Sequence, residues 1–183
     1  MKKRYNYPLM LKALEYFVLN PYSEIYLREY ARETGISINS AQRFLDYFLK
    51  ERLLVETRRA NLRFFKANLD SVLFRHIKVC FSLKKIEASG IIENMRDNNA
   101  SSFLLFGSAA KGLDDRESDF DFVYIGPNKN LKVSDFEKIL GAKIEVHFFS
   151  WTEWKKQTVT NKAFYQDVIK DGINLIGDKP FLV

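Results

Sequence analysis

The sequence predicts an α+β chain of two modules joined by a linking helix: three short helices and a hairpin first, then a small mixed β-sheet with flanking helices. Three observations predict it. Apolar residues recur at helical spacing up to about residue 50 and are followed by two short β-type runs. A long helical stretch follows, from Asp70 to about Met95. From residue 101 onward, short apolar runs of β type alternate with turn and helix signals.

The first helix is expected over Pro8 to Leu19, where Leu11, Leu14, Phe17 and Val18 fall on one face and Asn20-Pro21 stops the pattern. A second runs from about Leu27 to Glu33 and closes at Thr34-Gly35, glycine being the residue best able to take a left-handed cap. Ser37 is placed to cap a third. In that helix Ile38, Ala41, Phe44, Leu45, Phe48 and Leu49 face one way, and Asn39, Arg43, Asp46, Tyr47 and Lys50 the other. Leu53 to Arg58 and Leu62 to Ala67 then read as two strands joined through Arg59-Ala60-Asn61.

Charge supports a division of labour. Residues 1 to 66 hold 13 Lys and Arg against 7 Asp and Glu, whereas residues 67 to 183 hold 16 of each, so the whole excess of +6 lies in the first third. That is what a phosphate-binding module attached to a neutral domain shows, and equally what a solvated basic surface shows.

Three helices followed by a basic hairpin resemble, over residues 1 to 67, the winged helix-turn-helix of the MarR and ArsR type regulators. The resemblance implies DNA binding, with Asn39, Ser40, Gln42 and Arg43 offered to base edges and Arg58, Arg59 and Arg63 to phosphate or the minor groove. The alternative use of such a module is protein contact or dimerisation.

In the linking stretch Val72, Leu73, Ile77, Cys80, Phe81, Leu83 and Ile86 form an apolar stripe, broken where Gly90 stands, and read as core or as a dimer helix. Cys80 is the one cysteine, which excludes a disulfide within the chain and a thiolate metal cluster, and its place in that stripe suggests a core residue. No apolar run approaches the roughly 20 residues of a membrane span, and the basic start leads into Tyr5-Asn6-Tyr7-Pro8, so a cytoplasmic protein without membrane contact is expected. With 46% hydrophobic residues a packed core is expected too.

Chemistry concentrates in residues 101 to 149. Ser101 to Phe106 is a short apolar run that meets Gly107-Ser108, and Ala109 to Gly112 suggests one helical turn. Strand, tight turn and helix start let the backbone approach an anion, to which the Ser108 hydroxyl adds a donor. Ser118 to Ile125 is a second β-type run in which Asp119 and Asp121, two residues apart, share a face. Two carboxylates at the mouth of an apolar strand repel each other and call for cations, and magnesium accepts such hard oxygens alongside substrate phosphates.

The string Gly107-Ser108, Lys111-Gly112, Ser118-Asp119 and Asp121 resembles the signature of the DNA polymerase β nucleotidyltransferase superfamily, and the short chain resembles its minimal members over about residues 100 to 177. The resemblance implies that Gly107, Ser108, Lys111, Gly112 and Ser118 surround the nucleotide, and that Asp119 and Asp121 bind two magnesium ions. It also implies a third carboxylate on a neighbouring strand, for which Glu145, the one acid in the run Lys143 to Phe149, is the candidate. The pattern departs from many relatives in having glutamate there rather than aspartate, and lysine rather than arginine at Lys111, which gives up the bidentate fork. His147 shares the alternation face of Glu145, as a partner of that acid or as a structural histidine; His76 reads as structural. Trp151 to Gln157 and Asn161 to Lys170 look helical, with Trp151, Trp154, Phe164 and Tyr165 more typical of core than of a base platform, and Ile173 to Ile176 is a last short run.

The expected organisation is therefore 1–67 winged helix, 68–98 linking helices and 99–183 minimal nucleotidyltransferase domain. The expected activity is magnesium-dependent transfer of a nucleoside monophosphate from an NTP, ATP foremost, to an acceptor the sequence does not name. The resemblance adds a cognate toxin as protein partner, and a homodimer is expected. The rival reading is a DNA-binding transcriptional regulator whose nucleotidyltransferase fold senses nucleotide or is inactive.

Overall fold

The structure, a computed structural model, describes residues 7–127 and 132–181. It divides into two compact units, Met1–Ile77 and Lys78–Val183.

In the first unit α1 (Tyr7–Leu19), α2 (Leu27–Thr34) and α3 (Ile38–Lys50) accompany a three-stranded antiparallel sheet of β1 (Ile25–Tyr26), β2 (Leu54–Arg59) and β3 (Leu62–Ala67), in the order β1-β3-β2. Local chemistry sets the ends of the helices. Gly35 closes α2 at φ 66°, and the Ser37 side chain accepts a hydrogen bond from the Ser40 N–H at the start of α3. The periodic residues Ala41, Phe44, Leu45 and Phe48 are buried as their spacing predicts, with Phe17, Ile25, Tyr30 and Phe65. Ile38, assigned to the same face, is exposed because it opens the helix, beyond the packed turns. The Tyr30 hydroxyl donates to the Ala13 carbonyl at 2.6 Å, which meets the hydrogen-bonding need of a wholly buried phenol. Strand β1 has only two residues, too short to leave an alternation in the sequence.

The helical stretch resolves into α4 (Val72–Ser89) and α5 (Ile91–Asp97), separated by Gly90 at φ 78°. Its buried side differs from the predicted stripe. Lys78, Ser82, Ile86 and Ser89 are buried at spacings of four, four and three, while Val72, Leu73 and Cys80 are exposed. Polar residues can hold a buried face when their polar atoms are satisfied, as the Lys78 ammonium and the Ser89 hydroxyl are, through Asp114 and the Ile86 carbonyl.

In the second unit β4 (Ser102–Phe106), β5 (Phe120–Ile125), β6 (Ile144–Phe149) and β7 (Ile173–Ile176) form a sheet ordered β6-β5-β4-β7. Strand β4 runs antiparallel to both β5 and β7, and β5 and β6 are parallel. Between β4 and β5 lies the short α6 (Gly107–Lys111), and between β5 and β6 lies α7 (Ser134–Leu140), a parallel crossover that the sequence pattern does not announce. Helices α8 (Trp151–Thr160) and α9 (Lys162–Asp171) follow, α8 opened by a capping box of Ser150 and Glu153.

Strand alternation splits the core in two. Phe103, Leu105, Phe120, Phe122 and Tyr124 pack on one face with Ile86, Ile91, Ile92 and Met95. Leu104, Val123 and Ile125 pack on the other with Trp154 and Val168 of α8 and α9. Period-two geometry therefore puts Asp121, Glu145 and His147 on the α8 and α9 face. No helix among the described residues is long and apolar enough to cross a membrane.

Candidate active site

The sheet builds the site. The antiparallel ladder sets Phe106 opposite Asp121, so Gly107, the next residue, begins α6 directly beside that aspartate. A Cβ added to Gly107 would stand 2.2 Å from Asp121 Oδ2 and 3.1 Å from its Cγ, and Gly107 has φ +71°. Only a residue without a side chain allows both that backbone conformation and that approach. On the other flank the parallel ladder pairs Asp121 with Glu145 and Val123 with His147.

Asp119 lies two residues before Asp121, just ahead of the strand, and is exposed. Glu145 is exposed as well, on the edge strand β6, and its Oε1 is 3.4 Å from His147 Nε2. Asp121 is half-buried between them. Burial first, and then the charges of Glu145 and Asp119, push its carboxyl above the ordinary value, while His147 opposes them.

Among the described residues no group of three or more His, Cys, Asp or Glu side chains stands ready to hold a metal ion. Asp119, Asp121 and Glu145 offer carboxylate oxygens, the donor type that hard divalent cations such as magnesium take. Burial contributes most to the raised Asp121 carboxyl, and the repulsion from Glu145 and Asp119 adds to it.

The residues assigned to the nucleotide divide. Gly107 and the half-buried Ser108 open α6 beside Asp121, and Gly112 closes it at φ 66°. Lys111 Nζ is 3.1 Å from Asp171 Oδ2, so its charge is engaged by the end of α9. Ser118 Oγ donates to Asp115 Oδ1 at 2.9 Å and accepts from the Asp115 N–H at 2.9 Å, which lowers the Asp115 carboxyl below its ordinary value and fastens the loop before Asp119. The buried Lys78, which no sequence pattern singled out, also fastens that loop, through Asp114. The signal was a lysine four residues from Ser82 and eight from Ile86, inside an otherwise coherent helix face.

An aromatic group borders the site. The rings of Phe106 and His147 lie 5.5 Å apart, and Phe164 stands within 5.4 Å of both, edge-on to each. Trp154 is wholly buried, its Nε1 donating to the Pro180 carbonyl at 2.9 Å, in keeping with a core role, whereas Trp151 is exposed.

In the first unit Asn39, Gln42 and Arg43 are exposed along α3 and Ser40 is half-buried. Arg43 folds back onto its own helix, donating to the Asn39 carbonyl at 3.2 Å and to Ser40 Oγ at 3.2 Å. The hairpin arginines are all paired: Arg58 with Glu56 at 2.9 Å, Arg59 with Glu24, and Arg63 with Glu56 at 2.7 Å and Asp46 at 3.0 Å. Arg59 and Arg63 also lie over the rings of Phe64 and Phe65, at 5.0 Å and 5.1 Å. Glu56 is held below its ordinary value, first by the hydrogen bond from Arg63 and then by that from Arg58. His76 keeps its ring nitrogen Nδ1 2.8 Å from the Val72 carbonyl within its own helix.

Comparison with curated proteins gives no match. Two solved structures are similar to part of the chain: a toxin-antitoxin with AMP-PNP, 21% identical with a TM-score of 0.37, and a mutant of the toxin-antitoxin MntA-HpeT, 18% identical with a TM-score of 0.37. Each similarity covers 49% of this chain and 72% of the other. Among family models, the one described as the nucleotidyltransferase domain matches residues 88–171, a span that holds Gly107, Ser108, Asp119, Asp121 and Glu145.

Proposed function

We propose that the second unit transfers a nucleoside monophosphate from an NTP, ATP foremost, to an acceptor, and that the first unit is a winged helix-turn-helix that carries this activity to DNA. One observation carries the reading: Asp121 is held between a glycine that leaves room for nothing but its carboxylate and a strand that sets Glu145 in register beside it. Asp119, Asp121 and Glu145 would hold magnesium, which when bound lowers the pKa of an acceptor hydroxyl and neutralises phosphate charge. Gly107 and Ser108 would orient the phosphates through backbone N–H and hydroxyl donors, and the work left to the chain is positioning. A protein partner of the toxin type is the acceptor that the likeness to minimal nucleotidyltransferases brings forward, and a homodimeric state is proposed beside it.

A second reading, in which the domain senses nucleotide without transferring it, draws support from the exposure of Glu145 on an edge strand. Incubation with labelled ATP, magnesium and cell lysate separates the two. Labelling of an acceptor that disappears in Asp121→Ala is the expected result, and binding of ATP without any labelled acceptor would favour the sensor.

A further inference from the structure

We infer that Lys78 is a positioning residue for the loop that delivers Asp119, a role that rests on reading the acidic site as a nucleotidyl-transfer centre. Its side chain is wholly buried, and its Nζ donates to the Asp114 carbonyl at 2.7 Å and lies 3.4 Å from Asp114 Oδ1. That carboxylate oxygen is itself buried, and the Lys78 ammonium is the charge that faces it.

A pair of this kind is weak evidence for stability. Desolvation pulls the Lys78 ammonium below its ordinary value and pushes the Asp114 carboxyl above its own, against their mutual attraction. Two apolar residues of similar volume serve a core at least as well as a buried ion pair, whereas the pair specifies one geometry. Here the geometry is that of residues 113–119, which lead from α6 to β5 without regular structure.

The chain of contacts is short and continuous. The Leu113 N–H donates to the Ser108 carbonyl at 3.0 Å, tying the loop to α6. Lys78 then grips Asp114 by both backbone and side chain. Asp115 and Ser118 close the next turn on each other, and the Phe120 N–H donates to the Lys143 carbonyl at 2.9 Å, which starts the strand. Asp119 is exposed between the last two fastenings, so its place beside Asp121 is inherited from the loop. Without Lys78, the loop loses the grip on Asp114, and Asp119 loses part of its fixed approach.

Titration of the full-length protein with Mn2+, read by the electron paramagnetic resonance of the free ion, tests this in Lys78→Met, Asp114→Asn and the double variant, each also followed by thermal unfolding. Lys78→Met is expected to weaken Mn2+ binding by about 10- to 100-fold, the range found when the support of a metal ligand is removed. Asp114→Asn keeps the bond from Lys78 to the carbonyl and is expected to weaken it less. The double variant removes the uncompensated carboxylate, so its unfolding midpoint recovers, but methionine donates nothing to the Asp114 carbonyl and Mn2+ affinity stays low. Should Lys78→Met not fold, the double variant carries the comparison. Affinity that recovers together with the midpoint, or that is unmoved by loss of Lys78, overturns the positioning role alone. Wild-type protein that does not bind Mn2+ overturns the nucleotidyltransferase reading, and the positioning role with it.

Discussion

Replacing Gly107 by alanine tests the closest contact in the candidate site. Two costs follow from the geometry. At φ +71° an L-residue is strained by about 1–2 kcal/mol relative to glycine. The new Cβ would also stand 2.2 Å from Asp121 Oδ2, so the carboxylate must recede by at least 0.8 Å to reach even 3.0 Å. Turning Asp121 away from its rotamer adds about 0.5–1.5 kcal/mol, giving a total of about 1.5–3.5 kcal/mol. In an Asp121→Ala background the Oδ2 and Cγ contacts are gone, leaving the backbone strain of about 1–2 kcal/mol and the milder 3.3 Å approach to Cβ. Chemical denaturation of the wild type, both single variants and the double variant closes the cycle. A coupling of about 0.5–1.5 kcal/mol between the two positions is expected. Additivity within about 0.3 kcal/mol would refute the contact, and with it the claim that Gly107 is shaped around Asp121.

Other expectations concern the first unit. Glu56 has a carboxyl below its ordinary value of 4.5 because Arg63 and Arg58 donate to it, so its contribution is present at neutral pH and is lost as pH falls below that value through the folded-state one. Glu56→Gln should therefore be less stable than wild type at pH 7, with the gap in urea midpoint closing towards pH 3; a gap that holds constant with pH would show that the ion pairs contribute nothing. If the hairpin meets DNA phosphate, Arg59→Ala should reduce the slope of log affinity against log salt by about 1, and an unchanged slope would take the hairpin out of the interface.

Local chemistry made much of this architecture readable in advance. Gly35, Ser37 and Gly90 mark ends that depend on a few neighbouring residues, and the structure puts helix boundaries at each. The spacing of Asp119 and Asp121 and the apolar residues after them identified a central strand for the same reason. What escaped depends on partners distant in sequence. The buried face of α4 includes Lys78 because Asp114 waits 36 residues away, and a periodicity count that treats lysine as outward-facing turns the helix the wrong way. The exposure of Glu145 follows from β6 being an edge strand, which no property of residues 143 to 149 reveals. Likewise the charge of the hairpin was visible, but its pairing with Glu24, Asp46 and Glu56 was not.

Strand order has a consequence in time. Gly107 and Asp121 meet as soon as β4 and β5 zip into an antiparallel pair, an event between neighbours in the chain, but Glu145 arrives only after the parallel crossover through α7 is complete. Parallel pairing across such a connection is the slower step, since a long loop must close before any contact rewards it. On that order the glycine and its aspartate would come together before the third acid, so the repulsion that Glu145 adds to that between Asp119 and Asp121 would oppose the docking of β6 rather than the pairing of β4 with β5.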